Sequence, residues 1–343
     1  MPLHSARRRC IETLEPPSRP LRAWLALLYL SAISGCTLLD LAGGQLALIN
    51  DQQPLAAAVA RESDPERRRL LQEVPEIVSF AEDVVGLSAG RIYSGYFETE
   101  REGLTFVVTA CRRTLFEPYT WWFPIVGKVE YRSYWDEADA RAAAQALEDA
   151  GYDTWISPSR AYSSLGMLRD PITTTMLRDG ILGVTEVVIH ELSHVKLFVP
   201  GHTEWNEALA SFVGERGAER YFEQSRFAHS SLRQDMRARA ERRVLFDRAV
   251  TETYDALQRL YESDVPDARK LALRQDAFDA LSARMTALLP PARTRRLGMN
   301  NARLVHLHRY GASNELLSEL WKESGGNFRR FWTLAERYTR TEL

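Results

Sequence analysis

The stretch "VTEVVIHELSHVKLFV", residues 184–199, constrains the chain more than any other. Val184, Val187, Val188, Ile189, Leu192, Val195, Leu197 and Phe198 cover most of a helix drawn over residues 182–199, leaving a narrow polar edge near Ser193 and Lys196. A helix that is apolar almost all round belongs inside a core. Yet its middle carries His190, Glu191 and His194, and buried groups of that kind have to be paired or bound to something. The fold must bury this helix and still bring a partner to its polar middle.

Residues four apart on an α-helix share a face, one turn removed. His190 and His194 can therefore offer two imidazoles to one metal ion. Glu191 lies about 100° round from His190, near enough to hold a water but not to compete as a ligand. The H-E-x-x-H spacing thus supplies two ligands and a general base, as in catalytic zinc sites, which add a third protein ligand and keep a position for water. Three residues downstream are candidates for that ligand. The metzincin pattern fails, because Leu197 and Pro200 stand where it needs glycine and histidine. "TEWNEALASFV" begins a second helix over about 205–223, whose first turn can turn Asn206 and Glu207 back toward the first. Glu207 is the assigned ligand, as in gluzincins, with His202 and Glu204 as alternatives. His202 also reads as a loop residue and Glu204 as a first-turn acid favoured by the helix dipole. Glu186, one turn before His190, reads either as an orienting neighbour or as a surface ion pair.

The amino-terminus carries a separate signal. Arg7, Arg8, Arg9, Arg19 and Arg22 precede an apolar run over residues 23–36 that is too short for a transmembrane helix and has the anatomy of a secretory signal. It ends in Ile33-Ser34-Gly35-Cys36, which resembles a lipobox with Cys36 as the lipidated first residue. Thr37 after it favours the outer membrane in Gram-negative bacteria. Loss of residues 1–35 leaves Cys111 as the one other cysteine, so no intrachain disulfide is expected, and "TFVVTACRR" reads as a core strand. The formal net charge of −2, with no long basic run, gives no reason to expect nucleic acid.

Four segments follow: a signal peptide over 1–35, a helical segment over 36–90, a catalytic core over 91–226, and a helical region over 227–343. In the second segment Asp64 caps a helix that starts at Pro65. "IYSGYF", "LTFVVTACR", "KVEYRSYW" and "YDTWISP" read as strands, and "WDEADARAAAQALEDAG" as a helix from Asp136 to Gly151. The fold class is α+β, a zincin-like core with a small mixed sheet and the H-E-x-x-H helix, followed by a mostly helical carboxy-terminal region. Trp121, Trp122 and Phe123 read as core. Tyr162, Tyr310 and His306 lie in polar interruptions that can line a cleft and are candidate oxyanion donors.

The lipobox, "WWFPIVGKVEYRSYWDEADA", "AYSSLGMLRDP", the "HELSH" and "NEALA" pair and "NNARL" with its following "RY" together resemble the predicted aminopeptidase family of bacterial lipoproteins. The resemblance covers most of residues 36–225, with a further piece near 300–310. It implies an envelope-anchored, Zn2+-dependent peptidase acting on peptides or proteins. The alternative is a non-catalytic envelope interaction lipoprotein that keeps a zincin fold. Against it stands Glu191, since a purely structural zinc site uses four protein ligands and needs no base.

Overall fold

The computed structural model describes residues 44, 48–123, 127–161, 164–288, 298–312 and 314–343, all within the unit Gly44–Leu343. The signal segment and Cys36 lie outside the described residues, and among the latter no helix is long and apolar enough to cross a membrane. The architecture is α+β and mostly helical, with small sheets.

After a two-residue strand β1 (Gln53–Pro54) come helices α1 (Leu55–Arg61) and α2 (Pro65–Phe80). Asp64 caps α2 as its sequence requires: Oδ1 accepts from the backbone N–H of Glu66 at 2.8 Å and of Arg67 at 3.1 Å, and Pro65 holds the first helical position. Leu71, Val74 and Ile77, spaced by three, are fully buried and form one side of the main core.

The strands that follow are β2 (Gly95–Phe97), β3 (Phe106–Arg112), β4 (Trp121–Phe123), β5 (Gly127–Val129) and β6 (Tyr131–Tyr134), then helix α3 (Glu137–Asp149), β7 (Tyr152–Pro158) and β8 (Ile172–Thr173). The expected strand–helix–strand unit is present, capped by Asp136 and ended by Gly151 at φ +87°. It does not make a mixed sheet. The helix crossover returns β7 parallel to β6, but β3 lies between them, so both pairings in the order β6-β3-β7 are antiparallel. The small mixed sheet is elsewhere: in β1-β2-β8, β1 pairs antiparallel and β8 parallel to β2. One face of β3, with Phe106 and Val108, packs on Ala140 and Ala144 of α3. Val107 points the other way, as do Ser133 and Ser157, which are its partners on β6 and β7. Cys111 is buried and free, a core residue as expected. Trp122 departs from expectation: it is 69% exposed on the two-stranded β4–β5 hairpin.

A short helix α4 (Thr174–Leu177) leads into α5 (Gly180–Lys196), the motif helix, and α6 (Thr203–Phe222). Val184, Val188, Ile189 and Leu192 are fully buried. Ser193 is not on a polar edge. It is 1% exposed, and its hydroxyl donates to the Ile189 carbonyl at 2.7 Å, which is how a serine is accommodated inside a helix. α5 and α6 approach so closely that a side chain on Gly214 would meet the Glu186 carbonyl oxygen 2.9 Å from its Cβ, and His190 at 3.3 Å. Glycine is needed there for proximity. Gly214→Leu is expected to destabilise the protein by about 1–3 kcal/mol, read as a lower urea midpoint, because the backbone it strikes cannot rotate away.

Beyond α6 lie α7 (Leu232–Glu262), α8 (Asp267–Leu288), α9 (Asn301–Ala312), α10 (Asn314–Glu323) and α11 (Phe328–Glu342). α7, α8 and α9 share a second core around Leu257, Phe278, Leu281 and Leu304. α10 and α11 return to the first: Phe331 is fully buried, and Trp332 Nε1 donates to the Val85 carbonyl at 2.8 Å. The start of α9 is tied to the sheet. Asn301 Nδ2 donates to the Arg112 carbonyl at 2.7 Å, and the Asn301 N–H donates to Asp153 Oδ2 at 3.0 Å. Asn300 Nδ2 donates to the Thr154 carbonyl at 2.8 Å. Arg274 of α8 holds the same Asp153 through its two terminal guanidinium nitrogens, at 2.6 and 3.1 Å.

Candidate metal centre and catalytic pocket

The turn from α5 to α6 sets the geometry of the site. α5 ends at Lys196, earlier than the apolar pattern suggests, because the backbone of Val199 is taken by a side chain. Its N–H donates to Asn206 Oδ1 and its carbonyl accepts from Asn206 Nδ2, both at 2.8 Å. Pro200 also disfavours a helical Val199. Asn206 is 2% exposed, so this double bond is a buried clamp on the chain reversal. The residue after it, Glu207, is thereby turned toward α5.

His190 and His194 bring their Nε2 atoms to 3.2 Å of one another, the rings crossing at 83°. A carboxylate oxygen of Glu207 lies 3.6 Å from His190 Nε2 and the other lies 3.7 Å from His194 Nε2. One ligand atom from each residue falls within a 4.8 Å cluster. Donors about 2.0–2.1 Å from a tetrahedral zinc stand roughly 3.3 Å apart, so the observed spacing fits such an ion to within a few tenths of an ångström. Two imidazoles and a carboxylate are also a set that catalytic zinc takes. His202 and Glu204 stand outside this cluster: His202 occupies the cap position of α6, and Glu204 is an exposed acid of its first turn.

The electrostatics suit ligation. Burial pushes the His194 imidazole down to about 4, with the neighbouring His190 adding to the effect, so the ring is neutral at physiological pH, the form that binds metals. At His190 burial also opposes the charge, but Glu207, Glu191 and Glu186 together outweigh it and hold that imidazole above its usual range. Burial lifts the Glu191 carboxyl to about 7; His190 opposes the rise while Glu207 and Asp170 add to it. A carboxyl raised in this way is poised to exchange a proton near neutrality.

Around the far side of His190 lies Ser211, whose Oγ is 3.4 Å from Nδ1. It sits four residues after Glu207, so α6 presents one residue to the metal-facing nitrogen and another to the opposite one. The i, i+4 spacing of Glu207 and Ser211 is the sequence signal for this arrangement. Glu186 makes an ion pair with Arg239 of α7, which supports the ion-pair reading, and its charge helps raise the His190 imidazole.

A cavity of about 420 Å³ opens over the cluster, within the range of small-ligand sites. His190, Glu191, His194 and Glu207 form its floor, the Val107 face of the sheet one wall, and His306 and Arg309 of α9 another. His306 is thus placed at the site, its imidazole packed against Trp155 and pushed down to about 4 by burial. Tyr162 lies outside the described residues, and of Tyr310 only the backbone is described, in α9. Among the described residues the tyrosine that lines the cavity is Tyr131 on β6, its phenol pushed up to about 12 by burial and by Glu207 and Glu191. Sequence reading passed over it. Its alternation with Ser133 was legible, but which face of β6 meets the site depends on a pairing with β3 across more than twenty residues.

The His190, His194 and Glu207 cluster is a candidate metal site. The family model described as "Putative aminopeptidase" matches residues 37–342, and the chain belongs to that family. Neither a curated protein nor a solved structure matches the chain.

Proposed function

We propose that the protein is a zinc-dependent peptidase, anchored by lipid on Cys36 to the bacterial envelope, on the outer membrane facing the periplasm. The observation that carries the enzymatic reading is the convergence of His190, His194 and Glu207 beside Glu191 in one cavity. The family's description supports a peptide substrate, and its match begins at Thr37, immediately after the proposed lipidated cysteine.

His190, His194 and Glu207 would hold the ion. When bound there, zinc supplies Lewis acidity, which makes water a nucleophile near neutral pH and polarises a carbonyl. Glu191 accepts the proton of the attacking water as its oxygen bonds to the peptide carbon. It then gives that proton to the departing amine nitrogen as the C–N bond breaks. Tyr131 and His306 line the same cavity and are the proposed donors to the oxygen that gains charge; burial keeps the Tyr131 phenol protonated and the His306 imidazole neutral at neutral pH. A digest of a mixed peptide library tests the reading and reports which end is cut. Loss of no peptide over prolonged incubation with the zinc-loaded protein would refute it.

The anchor has its own test. Cys36→Ser is expected to move the protein from the membrane fraction to the soluble fraction on fractionation. Unchanged membrane association would point to an uncleaved apolar segment instead.

A further inference from the structure

Two exposed apolar side chains open onto the cavity and have no part in the hydrolytic scheme. Leu165 is 36% exposed and Phe198 41%, and both line the cavity together with His190, Glu191, His194 and Glu207. A lone apolar residue at a surface needs no explanation. Two at one small cavity call for one, and the backbone around each explains how it comes to be there. Leu197 leaves α5 in extended conformation, at φ −147° and ψ 112°. Side chains alternate along extended backbone, so Leu197 and Val199 pack against the main core while Phe198 between them turns out to the cavity.

Leu165 is held at the cavity against its own preference. Its φ is +54°, in the left-handed region where glycine is at ease and leucine is strained. The turn around it enforces that conformation. The buried Asp170 carboxylate accepts from the Ser164 N–H and from its hydroxyl, both at 2.8 Å, and Ser164 Oγ accepts from the Leu168 N–H at 2.9 Å. Gly166, at φ +81°, brings the turn so close to α5 that an added Cβ would stand 3.0 Å from Val195 Cγ1. Val195 directly follows the ligand His194. Strain of this kind persists where the surroundings over-determine it, and it gathers at ligand clamps.

We propose that Leu165 and Phe198 form an apolar subsite, and that the protein selects peptides carrying a large apolar side chain in the cavity. This subsite takes its substrate class from the peptidase reading. At about 420 Å³ the cavity has room for a few residues of a peptide, so a chain bound over the metal cluster meets both side chains.

Peptides matched except for leucine or serine at each position in turn are digested by the zinc-loaded protein, and the same peptides are titrated calorimetrically into Glu191→Gln protein. At the selected position leucine is expected to give kcat/KM about 10- to 100-fold higher than serine, with correspondingly tighter binding. The products report on which side of the broken bond that position stands. Leu165→Gly and Phe198→Ser are each expected to erase most of the difference. Leu165→Gly should do so with an unfolding midpoint equal to or above the wild-type value, because glycine adopts the left-handed backbone without strain. Met167→Ser is the control: Met167 is more exposed and on the same turn but lines a different cavity, and its replacement should leave the preference intact. Equal rates and equal binding for leucine and serine peptides at every position would overturn the inference and leave the peptidase reading standing. A preference that survives both Leu165→Gly and Phe198→Ser, or is lost as fully in Met167→Ser, would overturn it too. Tighter binding of leucine peptides that Leu165→Gly abolishes, with no cleavage of any peptide, would uphold the subsite and refute the peptidase reading.

Discussion

Exchanging Glu191 for glutamine is expected to lower peptide hydrolysis by roughly 10²- to 10⁴-fold while leaving the metal content and the unfolding midpoint near their wild-type values. The size follows from the role. Glutamine keeps the shape of the side chain but cannot accept the proton of the attacking water or return it to the leaving amine. Metal content should hold because Glu191 is not among the clustered ligand atoms of His190, His194 and Glu207. Folding should hold because, among the described residues, no ion pair holds the carboxyl; burial opposes its charge, so a neutral amide removes a desolvation cost. The measurement is kcat/KM on a fluorogenic peptide alongside metal analysis of the same preparation. Full activity in Glu191→Gln would eliminate it as the base, and loss of metal would make it a ligand.

The second large effect lies outside the cavity. Asp153→Ala is expected to destabilise the protein by about 3–5 kcal/mol, because it strands a charged partner in the interior. Asp153 is 8% exposed and accepts two bonds from Arg274, whose side chain is 12% exposed, and one from the Asn301 N–H that begins α9. The same residues tie α8 and α9 to the sheet, so the loss should not stop at stability. His306 and Arg309 ride on α9, and loosening its start should raise KM on peptides at temperatures where the variant is still folded. Urea unfolding of wild type and variant reads the first effect. A midpoint shift worth less than about 1 kcal/mol would mean that the Asp153 cluster is incidental to the packing of α9.

How much of this could be read from residues alone is clearest at the site. His190 and His194 were legible because the helical repeat places them together whatever surrounds them. Glu207 was legible because a short connection leaves a second helix little freedom, although the clamp that aims it, Asn206 on the Val199 backbone, needs a chain reversal that no periodicity encodes. Caps at Asp64 and Asp136 depend on two or three neighbouring N–H groups and emerged as expected. What failed was non-local. The insertion of β3 between β6 and β7 made that sheet antiparallel, moving the mixed sheet to β1-β2-β8, and it decided that Tyr131 faces the cavity. The return of α9 to the sheet brought Arg309 to a site more than a hundred residues upstream. Trp122 and Ser193 failed for a related reason: exposure depends on what covers a face, and a hydroxyl that bonds its own helix can be buried.

The central claim is that His190, His194 and Glu207 hold a zinc ion, and elemental analysis of the purified protein tests it most directly. About one zinc per chain is expected, with His194→Ala folded but retaining little or none. Wild-type protein that is cooperatively folded, takes up no zinc when it is offered, and unfolds at the same temperature with and without it would contradict the account.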